Sequence, residues 1–182
     1  MPSRHLGSSR RGPTLNQGVM HYLANKKRQG ETVATPKLAF RHIDEVPSQE
    51  VRAQMHGDQR VGVHLRFMEW SPTRIMIFTE YDPGLVLEAH SHKSDHIIYV
   101  TKGSVNISGT ECTPGMMVLL EQGAVFGPMI AGPEGTELIE FYTGDCGAIP
   151  ANDEAYRRLL EEKGITLEPH PPFDPTLIAG ND

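Results

Sequence analysis

The central part of the chain alternates. From residue 61, Val61, Val63, Leu65 and Phe67 fall on one side and Gly62, His64, Arg66 and Met68 on the other. That period of two sends successive side chains to opposite faces of a strand. Ser71-Pro-Thr turns the chain, and Arg74 to Tyr81 (RIMIFTEY) reads as a second strand, rich in β-branched and aromatic residues. Asp82-Pro-Gly is a strong turn signal. Further strands are predicted over 85–92, 96–101, 104–108, 116–120, 124–126 and 136–142. They are broken at Lys102-Gly103, Gly109, Pro114-Gly115, Gln122-Gly123, Gly127-Pro128 and Gly132-Pro133. Many short strands at this spacing, without the helices a parallel crossover needs, predict an all-β sandwich or barrel.

The flanks read differently. Residues 1–35 are polar and turn-rich, with a short helix expected over 17–27 and a break to extended chain at Thr35-Pro36. Residues 38–53 are mixed, with a turn at Val46-Pro-Ser. After Gly147 one helix is predicted. Asn152 caps it, Asp153 and Glu154 suit its positive end, Gly164 stops it, and Leu159 and Leu160 give it a narrow apolar face. A Pro-rich tail follows from Glu168. The expected organisation is a basic arm over 1–35, a β-barrel over 36–146, and a helix with its tail over 147–182.

Composition narrows the classes. The chain has 182 residues, enough for one domain with tails, and 38% hydrophobic against 22% charged residues excludes a disordered composition. The net charge of −6 is uneven. Residues 1–30 carry six basic side chains and no carboxylate, so the remainder is −12. An acidic body is a poor partner for phosphates, so no nucleic-acid partner is expected. The longest apolar run, Met116 to Leu120, is strand-sized, so no membrane partner is expected either. Cys112 and Cys146 lack metal or disulfide spacing and read as reduced thiols. Without a secretory signal pattern, the expected location is cytoplasmic.

The chemistry lies between Gly84 and Gly103. His90 and His92 are two apart and share a face if the segment is extended. A turn at Lys93-Ser94-Asp95 then lets His96 enter the next strand toward the same interior. Neutral imidazoles that converge suit Zn, Fe, Ni, Cu or Mn. Glu121, at the end of a strand, is weighed as a fourth ligand against a solvated turn residue. Glu88 is weighed as an inward group that orients a histidine against a rim carboxylate. His64 falls on the polar side of its strand and is read as solvated, and the other five histidines show no ligand spacing. Phe67, Met76, Phe78, Ile98, Val100, Met117 and Phe141 are candidate core or pocket-lining groups. Tyr81, Tyr99 and Tyr142 are candidate hydroxyl donors or strand-packing groups.

The spacing resembles the first motif of the cupin superfamily: a Gly, five residues, His-x-His, three or four residues, a Glu, six residues, a Gly. Gly84, His90, His92 and Gly103 match, and His96 stands where the family has Glu. The second motif is degenerate. Gly115 fits its start, Glu121-Gln122-Gly123 replaces Pro-x-Gly, and Phe126 takes the place of the metal-binding His. The resemblance covers about residues 61–145. It implies a double-stranded β-helix, the cupin jelly-roll barrel, with short N- and C-terminal helices. It also implies one divalent transition metal, iron first, held by His90, His92 and His96 and open to a small-molecule substrate. The implied activity is that of a metal-dependent cupin enzyme, a non-haem iron dioxygenase acting on a carbonyl, enol or hydroxyl oxygen. A ligand- or metal-sensing module without turnover is the alternative. The family also implies a homodimer.

Overall fold

The computed structural model describes residues 38–179. The predicted N-terminal helix and basic arm lie outside them. From Arg41 onward the chain forms one compact unit. Its strands are β1 (Gln49–His56), β2 (Gln59–Ser71), β3 (Arg74–Tyr81), β4 (Val86–Leu87), β5 (His90–Ser91), β6 (His96–Ile107), β7 (Thr110–Cys112), β8 (Met117–Leu120), β9 (Met129–Tyr142), β10 (Ile149–Pro150) and β11 (Ile165–Leu167). One α-helix, α1 (Asp153–Lys163), lies between the last two.

All strand pairings are antiparallel, in the order β11-β1-β2-β3-β9-β6-β7, with β4 added to β9 and β8 to β6. β5 and β10 form a separate two-stranded ribbon. The long strands β6 and β9 close the architecture. Their Val100 and Leu138 pair beside β3, while their far ends pair at Val105 and Ala131 beside β4 and β7. The inward residues of both halves meet in one core. Val61, Val63 and Tyr81 from one side pack with Val105, Ile107, Met129 and Ala131 from the other around Ile98, Val100 and Leu138. This is the all-β jelly-roll barrel the alternation predicts.

Three local readings differ from the expectation. Lys102-Gly103 does not end a strand, because β6 runs through it with shifts of register on either side. Gly103 sits at φ +66°, and a Cβ there would come 2.0 Å from the Gly135 carbonyl oxygen. The glycine serves a bulge and a close crossing rather than a turn. Likewise β9 continues through Gly132-Pro133. β1 was hidden because its buried positions include Gln49 and Gln54. Gln54 is tolerated inside because its amide bonds the Val86 backbone at both N–H and carbonyl.

The helix follows the sequence closely. The Asn152 side chain accepts from the Ala155 N–H at 3.0 Å, and Gly164 ends α1 in a left-handed conformation at φ +66°. Leu160 packs with Val86 and Ile165, which seats the helix on the barrel. The next residues return to the sheet, and β11 pairs with the edge of β1. No helix among the described residues is long and apolar enough to cross a membrane.

Candidate metal centre

The His-x-His segment is held extended from both sides. The His90 N–H donates to the Phe126 carbonyl and the His90 carbonyl accepts from the Phe126 N–H, while the Gly123 N–H donates to the His92 carbonyl. On the other flank, β5 pairs with Ile149-Pro150. The turn between His92 and His96 is fastened by Ser94 Oγ to the Asp145 carbonyl and by the Asp95 carboxylate to the Gln122 N–H. With the turn fixed, His96 begins β6 opposite Tyr142, and its ring stacks on that phenol at 4.0 Å.

The three predicted histidines therefore come together. Ring centroids are 5.0 Å apart for His90 and His92 and 4.9 Å for His92 and His96, and all three side chains are buried. Each ring has one nitrogen committed. His90 Nδ1 donates to the Glu88 carbonyl at 2.9 Å, His92 Nδ1 to the Gly147 carbonyl at 3.3 Å, and His96 Nε2 to Glu140 Oε2 at 2.9 Å. A carbonyl or ionised carboxylate only accepts, so these bonds fix the tautomer and leave the other nitrogen of a neutral ring with its lone pair. His92 Nε2 and His96 Nδ1 are buried and have no partner. Burial, the largest effect, lowers the His90 pKa, and burial together with the neighbouring His96 and His90 lowers that of His92 to about 4. Both rings are neutral at pH 7.

These residues fit a metal in donor chemistry: each imidazole is oriented by a carbonyl or carboxylate at one ring nitrogen, and His92 Nε2 and His96 Nδ1 are left without a partner. Spacing is a separate matter. Among the described residues, no group of three or more His, Cys, Asp or Glu stands closed around an ion position. Phe126 gives one physical reason. Its ring lies 4.3 Å from His90, 5.8 Å from His92 and 5.7 Å from His96, within the cluster itself.

The other candidates lie apart from the rings. Glu121 is exposed in the turn after β8. The Glu88 side chain is buried and ion-paired with Arg52, and it is the Glu88 backbone carbonyl that orients His90. His64 faces outward, 3.4 Å from Asp82. Four predicted pocket-lining residues, Met76, Phe78, Met117 and Phe141, occupy the outer face of the sheet. They alternate with the inward Ile75, Ile77, Glu140 and Tyr142. Period two was right, but their inward placement was not, because a face apolar on both sides carries no polar marker of direction.

Glu140 is the functional candidate that sequence reading missed. It is 6% exposed and accepts hydrogen bonds from His96, Thr79 and Tyr142. Burial alone would push its pKa up, but those bonds and the adjacent His96 hold it down to about 2. The available signal was its register: it shares a face with Leu138 and Tyr142, so a charge was due to point inward. Burial and Glu140 also keep the Tyr142 phenol protonated, well above the usual range.

Of the three histidines, His90 borders a cavity of about 200 Å³ inside the barrel. His90, Glu140 and Tyr142 are its polar wall, among apolar groups such as Phe67, Leu87 and Met129. A larger cleft of about 310 Å³ lies between β1, α1 and β11, with Arg52 and Arg157 beside Glu88, Asp153 and Glu168. His92 and His96 line neither of the two, but His90 and Glu140 line the barrel cavity, so it is the one joined to candidate chemistry.

No family model and no curated protein sequence matches the chain. Solved structures do. A protein from Methylibium petroleiphilum assigned as an acetylacetone dioxygenase aligns at a TM-score of 0.55 and 14% identity, over 67% of this chain and 86% of its own. The polyketide cyclase RemF from Streptomyces resistomycificus aligns at 0.53 and 17%, over 70% and 96%. An RmlC-like cupin from Shewanella frigidimarina aligns at 0.47 and 17%, over 65% and 96%. At such identities the likeness is one of architecture: the chain has the jelly-roll barrel fold of the acetylacetone dioxygenase and RemF structures.

Proposed function

We propose that this protein is a metal-dependent cupin enzyme that acts on a small, largely apolar organic molecule through a carbonyl, enol or hydroxyl oxygen. The activity proposed first is that of a non-haem iron dioxygenase. The observation that carries the reading is the set of three buried imidazoles, each tethered at one nitrogen and keeping a lone pair on the other, beside an apolar cavity. His90, His92 and His96 would hold the ion, with iron favoured over Zn, Ni, Mn or Cu. A bound ion with open positions supplies Lewis acidity and, as iron, reactivity toward dioxygen.

The chain's own residues do the rest. The Glu88 and Gly147 carbonyls hold two imidazoles in the neutral, ligand-ready tautomer. Glu140 holds the third, with its charge held in place by Thr79 and Tyr142. Phe67, Leu87 and Met129 exclude water and favour an apolar substrate body, which leaves the polar wall to receive its oxygen atoms. No group on that wall is free to shuttle protons, since both Glu140 and Tyr142 are engaged with each other. This favours chemistry centred on the ion over proton-transfer isomerisation.

A second reading, a ligand-binding cupin without turnover, is favoured by one observation: the Phe126 ring packs against all three histidines. One experiment separates them. The full chain is produced with added iron, its metal content is measured, and oxygen uptake is followed with a panel of 1,3-diketones and enols. About one ion per chain and uptake that disappears in His92→Ala support the enzyme. A metal-free protein that binds a panel member without oxygen uptake supports the binding module.

A further inference from the structure

The apolar wall of the barrel cavity is largely aromatic. Three of the chain's six phenylalanines and its only tryptophan line it: Phe67, Phe126, Phe173 and Trp70. Strict alternation from Phe67 would send Trp70 to the outside of the sheet. Instead β2 carries one extra residue between Phe67 and Glu69 in its pairing with β3. Trp70 therefore comes opposite the inward Ile75 and shares the face of Phe67. A bulge re-aims a side chain in this way. Phe173 arrives from the C-terminal tail. The buried Gln49 amide grips the Asp174 backbone at its N–H and its carbonyl, at 3.0 and 3.3 Å. The Ala179 N–H donates to the Phe67 carbonyl, so the tail is fastened on both sides of its short 3₁₀ turn and forms part of the cavity wall.

The Phe67 ring stands 5.3 Å from that of Trp70, and 5.5 Å from that of Phe173 at 86°. Among the described lining residues only Trp70 and Phe173 are exposed, at 37% and 48%, so these two flank the mouth. His90, Glu140 and Tyr142 are buried within. From this arrangement we infer that the ligand of the cavity is aromatic: one ring carrying a short oxygenated arm. The ring lies among Phe67, Trp70 and Phe173, and the oxygen is directed to the polar wall. An apolar cavity of about 150 Å³ holds one benzene ring. The volume here, about 200 Å³, leaves room for a carbonyl-bearing arm of a few atoms. Ring quadrupoles favour a further ring placed edge-to-face or offset against these three, a preference that an aliphatic body of the same bulk does not share. Trp70 and Phe173 are then the specificity-determining residues. The inference rests on the proposed function only in taking that polar wall as the place of the ligand's oxygen.

Because Trp70 is the only tryptophan, its emission reports the mouth of the cavity directly. The full chain is titrated with phenylacetone, cyclohexylacetone and acetone, followed by that emission and by calorimetry. Phenylacetone is expected to change the emission saturably and to bind at least ~10-fold more tightly than cyclohexylacetone, the factor that two ring contacts supply. Phe173→Leu keeps apolar bulk at an exposed position, so the fold should survive, as far-UV circular dichroism will check. It should weaken phenylacetone at least ~3-fold, the share of one ring contact, whereas Phe173→Tyr, which keeps the ring, should not. Equal affinity for the phenyl and cyclohexyl probes, or a Phe173→Leu variant that binds phenylacetone undiminished, overturns the inference. The readout does not depend on turnover. Ring-selective binding by a chain that takes up no oxygen supports this inference and counts against the enzyme reading alone. Oxygen uptake on a diketone by a chain without ring selectivity does the reverse.

Discussion

Glu140 is the residue whose removal the structure constrains most sharply. Replacing it with Gln keeps the shape and removes the charge. Three donors converge on this carboxylate from Thr79, His96 and Tyr142, and an amide offers one acceptor oxygen where the carboxylate offers two. The native carboxyl is held at about pKa 2 against an ordinary 4.5, and at 1.36 kcal/mol per unit that preference is worth roughly 3 kcal/mol. Leaving a buried donor without its acceptor costs about 1–3 kcal/mol. The two figures overlap, and about 3 kcal/mol corresponds to a fall in Tm of roughly 10 °C for a unit of this size. The sign with pH follows from linkage. Because the folded pKa lies below the unfolded one, the stabilisation is present above about pH 4.5 and is lost as pH falls toward 2. Thermal unfolding of wild type and Glu140→Gln, with chelator present so that no ion contributes, should show a wide gap at pH 7 that narrows below pH 4.5. Equal Tm values at pH 7, or a gap that does not change with pH, would refute the account of a charge stabilised by three donors.

His90→Ala and His92→Ala should each abolish metal retention in elemental analysis, while His64→Ala, which faces outward to Asp82, should retain it. Glu121→Ala should also retain metal, since that side chain is exposed in its turn. Phe126→His places a fourth imidazole beside the three and should raise affinity for a divalent ion at least tenfold by chelator competition; unchanged affinity would show that position 126 does not face the ion. Cys146, whose thiol burial pushes up to about 11, should alkylate far more slowly with iodoacetamide at pH 7.5 than free cysteine does. Gly103→Ala should destabilise by more than about 2 kcal/mol in urea titration, given the 2.0 Å approach to the Gly135 carbonyl and the positive φ.

Position 126 carries Phe where the motif that the chain resembles has a histidine, and the structure shows what that residue does instead. Phe126 keeps the backbone role of its position, exchanging hydrogen bonds with His90, and so still holds the His-x-His segment extended. Its ring then makes the cavity beside the histidines drier. His96 comes in from the start of β6, where a carboxylate stands in the family motif, and a carboxylate returns behind it as Glu140 on the neighbouring strand.

The sequence by itself determined the strand period, the helix with its Asn152 and Gly164 caps, and the grouping of His90, His92 and His96 on one extended segment and its turn. Those are local matters, set by side-chain alternation and by backbone conformations a few residues long. It did not determine β1, whose buried Gln49 and Gln54 look like surface residues until the Asp174 and Val86 backbones supply their partners. Nor did it say which face of β3, β8 and β9 points inward, because both faces are apolar and only closure of the sheet distinguishes them. The tertiary structure alone decided that Glu140 belongs to the site. It lies 44 residues from His96, and only the pairing of β6 with β9 brings its carboxylate to the imidazole. A buried charge is bearable only where its partners converge, and that convergence is a property of the folded sheet.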